Sequence, residues 1–212
     1  MIRDAFTKIL KEYKSASKQP LKNHPLANYI RNDVPKIFHS SAGHLLNNYN
    51  FNTVKHAGKW SAIPWFNIMD ERATKTAKEG YYPVYLFHEN GKKILFELGQ
   101  GRDDIEKKYG KKEGVSILKS RAIIMREKIP EYKNYGFKEV TMKMKIGDDS
   151  KRKDWVLSGA FGKMYDLAEL PDETTFVRDL DNMLKLYNLL IERGGVSENI
   201  PSYNPADEEI IN

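Results

Sequence analysis

The chain has 212 residues, 40% of them hydrophobic and 30% charged, with a formal charge of +6 and no cysteine. This length supports one sizeable core and is short for two full domains, and the missing thiols exclude disulfides and thiolate metal sites and fit a reducing compartment. No apolar run approaches the ~20 residues that span a bilayer, and Met1-Ile2-Arg3-Asp4 lacks a signal peptide's apolar core, so a soluble cytoplasmic protein with no membrane partner is expected.

Ile2 to Lys14 carries Ile2, Phe6, Ile9, Leu10 and Tyr13 at helical spacing, which predicts a core-facing helix. His39 and His44 flank Ser40-Ser41-Ala42-Gly43, but with no paired carboxylate nearby this is poor metal geometry. His24, His56 and His88 read as surface or hydrogen-bonded residues, so neither metal nor cofactor is expected. Ile63 to Met69 and Tyr81 to Phe87 are short apolar runs bounded by Gly and charge, the pattern of buried strands. Lys93 to Leu98 follows Glu89-Asn90-Gly91, and Asn-Gly between apolar runs predicts a hairpin over Tyr81 to Leu98.

In an extended strand Tyr82, Val84 and Leu86 share one face while Tyr81, Tyr85 and Phe87 share the other. Both faces are apolar. The strand is therefore either central and covered on both sides, or has one face on the core and one lining a cavity. Ser116 to Lys128 reads as a helix ended before Pro130. Lys138 to Ile146 alternates, with Lys143 and Lys145 opposite Met142, Met144 and Ile146, as in a strand with one wet face; Lys151, Arg152 and Lys153 follow in a loop. Asp172 to Arg193 repeats the helical spacing through Phe176, Leu180, Met183, Leu184, Tyr187 and Leu190, with Asp172 as its start and Gly194-Gly195 as its stop. The expected architecture is a single α+β domain over residues 1–196, with a mixed or mainly antiparallel sheet flanked by helices. Residues 197–212 are polar and acidic and read as a linker or disordered tail.

The segment Trp60-Ser61-Ala62-Ile63-Pro64-Trp65-Phe66-Asn67-Ile68-Met69-Asp70, then Glu79 to Phe87 (EGYYPVYLF), then Leu98-Gly99-Gln100-Gly101, resembles the N-terminal domain of McrB-type modification-dependent restriction proteins. The resemblance covers nearly the whole chain. It implies a module that binds double-stranded DNA and recognises methylated cytosine by rotating the base into an aromatic pocket, without cutting. Cleavage would belong to a McrC-like nuclease, and an AAA+ GTPase domain would follow on the same polypeptide or join in a complex. Carried over to this sequence, Trp65 matches a stacking wall, Tyr82 and Leu86 match the following strand, with Leu86 near the methyl-bearing edge, and Trp155 falls near a second stacking aromatic. The family's Gly-x-Gly loop with an aromatic reads here as Lys55-His56-Ala57-Gly58-Lys59-Trp60. Its first glycine and aromatic are absent, which leaves His56, Lys59 or Trp60 to fill the gap left by the base.

Chemistry argues for such aromatics, since an extruded base loses stacking and pairing worth a few kcal/mol, which a pocket recovers with apolar faces and edge hydrogen bonds. No Lys or Arg follows Arg193, whereas Glu198, Asp207, Glu208 and Glu209 do, so the body is more basic than the net charge states and favours a polyanion. Arg72 and Lys75 between the aromatic strands, Lys143 and Lys145, and Lys151, Arg152 and Lys153 are candidate phosphate contacts. A nuclease is disfavoured: Asp70, Glu71, Glu89, Glu97, Asp103 and Asp104 form no Asp…Glu-x-Lys arrangement. A phosphate-cradling Gly-x-x-x-x-Gly-Lys-Ser/Thr loop is missing, so nucleotide hydrolysis is not expected of this segment. The alternative is a protein-interaction module holding a peptide in the aromatic cavity.

Overall fold

In the computed structural model, residues 1–54, 58–140, 142–146, 153–156 and 159–197 are described, with 143–146 and 153–156 described by backbone alone. Along the chain run α1 (Ile2–Ala16), α2 (Pro25–Asn28), a π-helical turn (Tyr29–Asp33), α3 (Val34–Leu46), β1 (Asn50–Thr53), β2 (Trp65–Met69), β3 (Tyr81–Phe87) and β4 (Lys93–Gln100). There follow α4 (Asp103–Tyr109), α5 (Lys111–Lys128), a 3-10 turn (Pro130–Tyr135), β5 (Lys143–Ile146), β6 (Lys153–Val156), β7 (Gly162–Asp166) and α6 (Glu173–Glu192).

Five strands form one antiparallel sheet in the order β1-β2-β3-β4-β7, so β3 is central and all seven of its residues are buried. Burial of every β3 residue agrees with both readings of its apolar faces. Phe66, Ile68, Tyr85, Phe87, Ile94, Phe96 and Tyr165 share one face by register and alternation. There Phe6 of α1 meets Tyr85 at 5.1 Å, Phe87 at 5.3 Å and Phe176 of α6 at 5.2 Å between ring centroids. Phe38 of α3 lies 5.8 Å from Tyr85, and Tyr85 stacks on its cross-strand partner Phe96 at 4.0 Å. Helices laid against one face of an antiparallel sheet make this an α+β domain.

The hairpin forms as expected, but with a longer loop. Gly91 N–H donates to His88 O, Gly91 has a φ of +71°, and the Asn90 side chain accepts from Lys92 N–H. Only the glycine of Asn-Gly is left-handed, so the pair ends a wider turn instead of forming a two-residue one. The strand expected over Ile63 to Met69 starts at Trp65, because Pro64 has no N–H for a ladder. Among the described residues Lys138 to Ile146 is not one continuous strand: Lys138 makes an isolated bridge to Gly162, and Lys143–Ile146 pairs with β6 in a separate ribbon. Its alternation satisfies a two-stranded ribbon as well as a sheet. Lys153, expected in a loop, opens β6. Among the described residues no helix is long and apolar enough to cross a membrane.

Candidate nucleic-acid interface

The other face of the sheet carries Trp65, Tyr82 and Leu86, three of the expected site residues. Trp65 of β2 lies directly opposite Leu86 of β3, which pairs with Leu95 of β4 and through it with Met164 of β7. Trp65 is half-buried and Leu86 buried. The start of β2 is held from both sides, as Val54 N–H donates to Trp65 O and Phe87 N–H to Pro64 O. Tyr82 shares this face two registers away. Its hydroxyl donates to Ala77 O at 2.7 Å, and burial, with Asp103 and Glu97 adding to it, pushes the phenol well above its ordinary range. Tyr82 thus offers the site a ring, its hydroxyl being spent on the β2–β3 connection.

Between these two levels lies a polar row that sequence reasoning did not single out as part of the site: Asn52, Asn67, Val84, Glu97 and Gly162 stand side by side. Asn67 is 1% exposed and Glu97 3% exposed. Among the described residues neither amide atom of Asn67 nor Oε2 of Glu97 has a hydrogen-bond partner. Each such group forfeits about 1–3 kcal/mol of hydration on folding. Burial pushes the Glu97 carboxyl up to about 8. The space it occupies exists because its neighbours are glycines: a side chain at Gly159 would overlap the carboxyl, and one at Gly162 would fall 2.9 Å from Glu97 Cβ. The signal in the sequence was a polar residue inside each of two apolar runs, WFNIM and ILFELG.

The basic candidates divide by environment. Arg72 is a brace: its Nε and Nη2 grip both oxygens of buried Asp70, and Nη2 also reaches Asn188 Oδ1 on α6 at 2.8 Å. Those hydrogen bonds from Arg72 hold the Asp70 carboxyl below the usual carboxylate range despite its burial. Trp60 is docked on the end of α1 and the segment after it, with Nε1 donating to Gln19 O at 2.9 Å and its ring edge-on to Tyr13 and His24. Lys59 and Lys75 are exposed. Lys143 and Lys145 alternate along β5, Lys153 pairs with Ile146, and Trp155 pairs with Met144. His56, Lys151 and Arg152 lie outside the described residues. The structure therefore brings Trp65, Tyr82 and Leu86 together on one sheet face and leaves Trp60 and Arg72 tied to the scaffold. Among the described residues no group of three or more His, Cys, Asp or Glu side chains is arranged to hold a metal ion.

Residues 8–192 match the family described as MrcB-like, N-terminal domain. The chain belongs to that family. The match spans every described strand and all but the first residues of α1, so the sheet and the helices packed on it are the family's domain and the chain is a DNA-binding module of the McrB type. No curated protein sequence matches the chain.

Proposed function

We propose that this MrcB-like domain reads modified cytosine in double-stranded DNA by accepting the extruded base on the sheet face that carries Trp65, Leu86 and Tyr82. That those three side chains share one sheet face, opposite the face on which α1, α3 and α6 pack, carries the reading. A half-buried indole beside an aliphatic residue on the neighbouring strand supplies the flat apolar surface that an unstacked base needs. Trp155 is proposed as the second wall. Lys59, Lys75, Lys143, Lys145, Lys151, Arg152 and Lys153 contact phosphates, and Lys59 or His56 occupies the gap in the duplex. Residues 1–196 form the reading unit and 197–212 a tail leading towards a GTPase. The domain itself has no catalytic role: in the cytoplasm, an AAA+ GTPase and a McrC-like nuclease cut what it selects.

The test is competition binding at fixed salt among one duplex carrying plain, methylated or hydroxymethylated cytosine. Preference for a modified duplex is expected. Trp65→Ala is expected to abolish that preference while leaving salt-sensitive binding to plain DNA. Equal loss of both by a folded variant rejects the pocket.

A further inference from the structure

The apolar groups of the proposed pocket leave one problem unsolved. Trp65 and Leu86 sense a ring face and a methyl group, and apolar contacts discriminate poorly between ligands of similar shape. Recognition of the base as cytosine requires hydrogen bonds to its edge, where a 4-amino donor adjoins the N3 and O2 acceptors. Tyr82 is not available for this, since its hydroxyl is committed to Ala77 O. Asn52 on the outer strand donates its amide to Asn50 O.

Two buried polar side chains remain on this face among the described residues. Asn67 is one residue pair along β2 from Trp65, and Glu97 one pair along β4 from Leu95, so the two flank Val84 from either side. They are two strands apart, roughly 10 Å between Cα atoms, with their side chains standing on the same face. That interval accommodates one polar edge. Both residues are more than nine-tenths buried, and their amide atoms and Oε2 respectively lack partners among the described residues. Natural proteins satisfy buried polar groups, so partnerless atoms in one cross-strand row call for a ligand. Three glycines, Gly99, Gly159 and Gly162, also crowd around Glu97 and keep its carboxyl from being displaced by side chains.

We infer that Asn67 and Glu97 read the hydrogen-bonding edge of the extruded base, the pair supplying donors and acceptors that the ring faces of Trp65 and Tyr82 and the aliphatic Leu86 do not. This rests on the base-pocket reading above. Asn67 brings one amide donor and one carbonyl acceptor. Glu97, whose burial favours the protonated form at neutral pH, brings an acid donor and a carbonyl acceptor.

The experiment is a cycle on the whole chain with two duplexes. One carries 5-methylcytosine; the other carries 5-methylpyrimidin-2-one at the same place, which keeps ring and methyl but has hydrogen in place of the 4-amino group. The affinity ratio between them is measured for wild type, Asn67→Leu, Glu97→Leu and Glu97→Gln, with thermal unfolding of each. Differences in how easily the two bases leave the duplex cancel between proteins. The ratio is expected to fall about ten-fold or more in at least one leucine variant, and Glu97→Gln, which keeps a donor and an acceptor, retains it. An unchanged ratio in both leucine variants overturns the inference. Should a leucine variant not fold, the alanine variant replaces it, and a fallen or unchanged ratio there carries the same meaning. If wild type shows no preference for 5-methylcytosine over plain cytosine, the base pocket itself fails; if it does, and Trp65→Ala removes it while the ratio is insensitive to Asn67 and Glu97, only the edge assignment fails.

Discussion

At the scale of single residues, Glu97 works against the stability of the fold, and the sign of its effect is unusual for a carboxylate. Its ordinary value is 4.5 and burial raises it to about 8 in the folded chain. Below the ordinary value both folded and unfolded forms are protonated and nothing is lost. Between there and about 8 the unfolded chain ionises freely while the folded one holds its proton, so stability falls as pH rises through this window. Tyr82, itself raised by burial, shares the face with Glu97, as by register do Lys93 and Asp166 at the start of β4 and the end of β7, and burial is the cause of Glu97's shift. Glu97→Gln is expected to match wild type near pH 4 and to exceed it by a few kcal/mol at pH 8, in urea unfolding across that range. Parallel curves would mean that Glu97 ionises as if in water. Neither Glu97 nor Asn67 was legible as a candidate site residue, because a polar residue inside an apolar run announces burial but not whether a partner waits for it. Trp65, Tyr82 and Leu86 could be proposed only through their setting in a longer string of motifs.

At the scale of elements, α1 depends on a residue far away in the chain. It has no N-terminal cap of its own, and the Glu173 carboxylate at the start of α6 accepts from Ile2 N–H at 2.9 Å, from Arg3 N–H at 3.3 Å and from the Ser41 hydroxyl on α3. Burial raises this carboxyl, but the hydrogen bonds from Ile2, Ser41 and Arg3 outweigh it and leave a net lowering. Its contribution is thus present above the ordinary glutamate value and lost as pH falls through the lowered one. Glu173→Ala is expected to cost about 1–2 kcal/mol in urea unfolding at pH 7, the usual loss for a helix cap, and less at pH 3. A cost independent of pH would make it a matter of packing alone. Helices α1 and α6 and the β3–β4 hairpin were readable because periodicity and turn chemistry are local. The cap that joins α1 to α6 was not, since nothing local marks it. Nor was β7: Gly162–Asp166 is a strand because β4 offers an edge, and Gly162 lies so close to Phe96 O that only a bare Cα fits. The region 25–46 was passed over for a related reason, its helices being interrupted by the π-helical turn and by a kink at Ala42 that blur the helical period.

At the scale of the whole molecule, the aromatic core and the proposed reading face lie back to back on one sheet, so specificity and electrostatic attraction are separable. The groups proposed to read the base are neutral: an indole, an aliphatic chain, an amide and a protonated acid. The attraction comes from lysines and arginines in a chain with a net charge of +6. Each phosphate contact releases counterions, so affinity for any duplex should fall steeply with salt, by about −0.9 in the logarithmic slope per contact, whereas the ratio of modified to plain affinity should hardly move. The β5–β6 ribbon gives the direct check, because Lys143 and Lys145 alternate along β5 and stand apart from the main sheet. Lys143→Gln combined with Lys145→Gln is expected to make the salt slope shallower by about 2 and to weaken binding to both duplexes alike, measured by titration at several salt concentrations. An unchanged slope removes the ribbon from the DNA interface. A modified-to-plain ratio that falls along with the slope would instead place a lysine at the base itself, which the neutral chemistry of Trp65, Asn67 and Glu97 forbids.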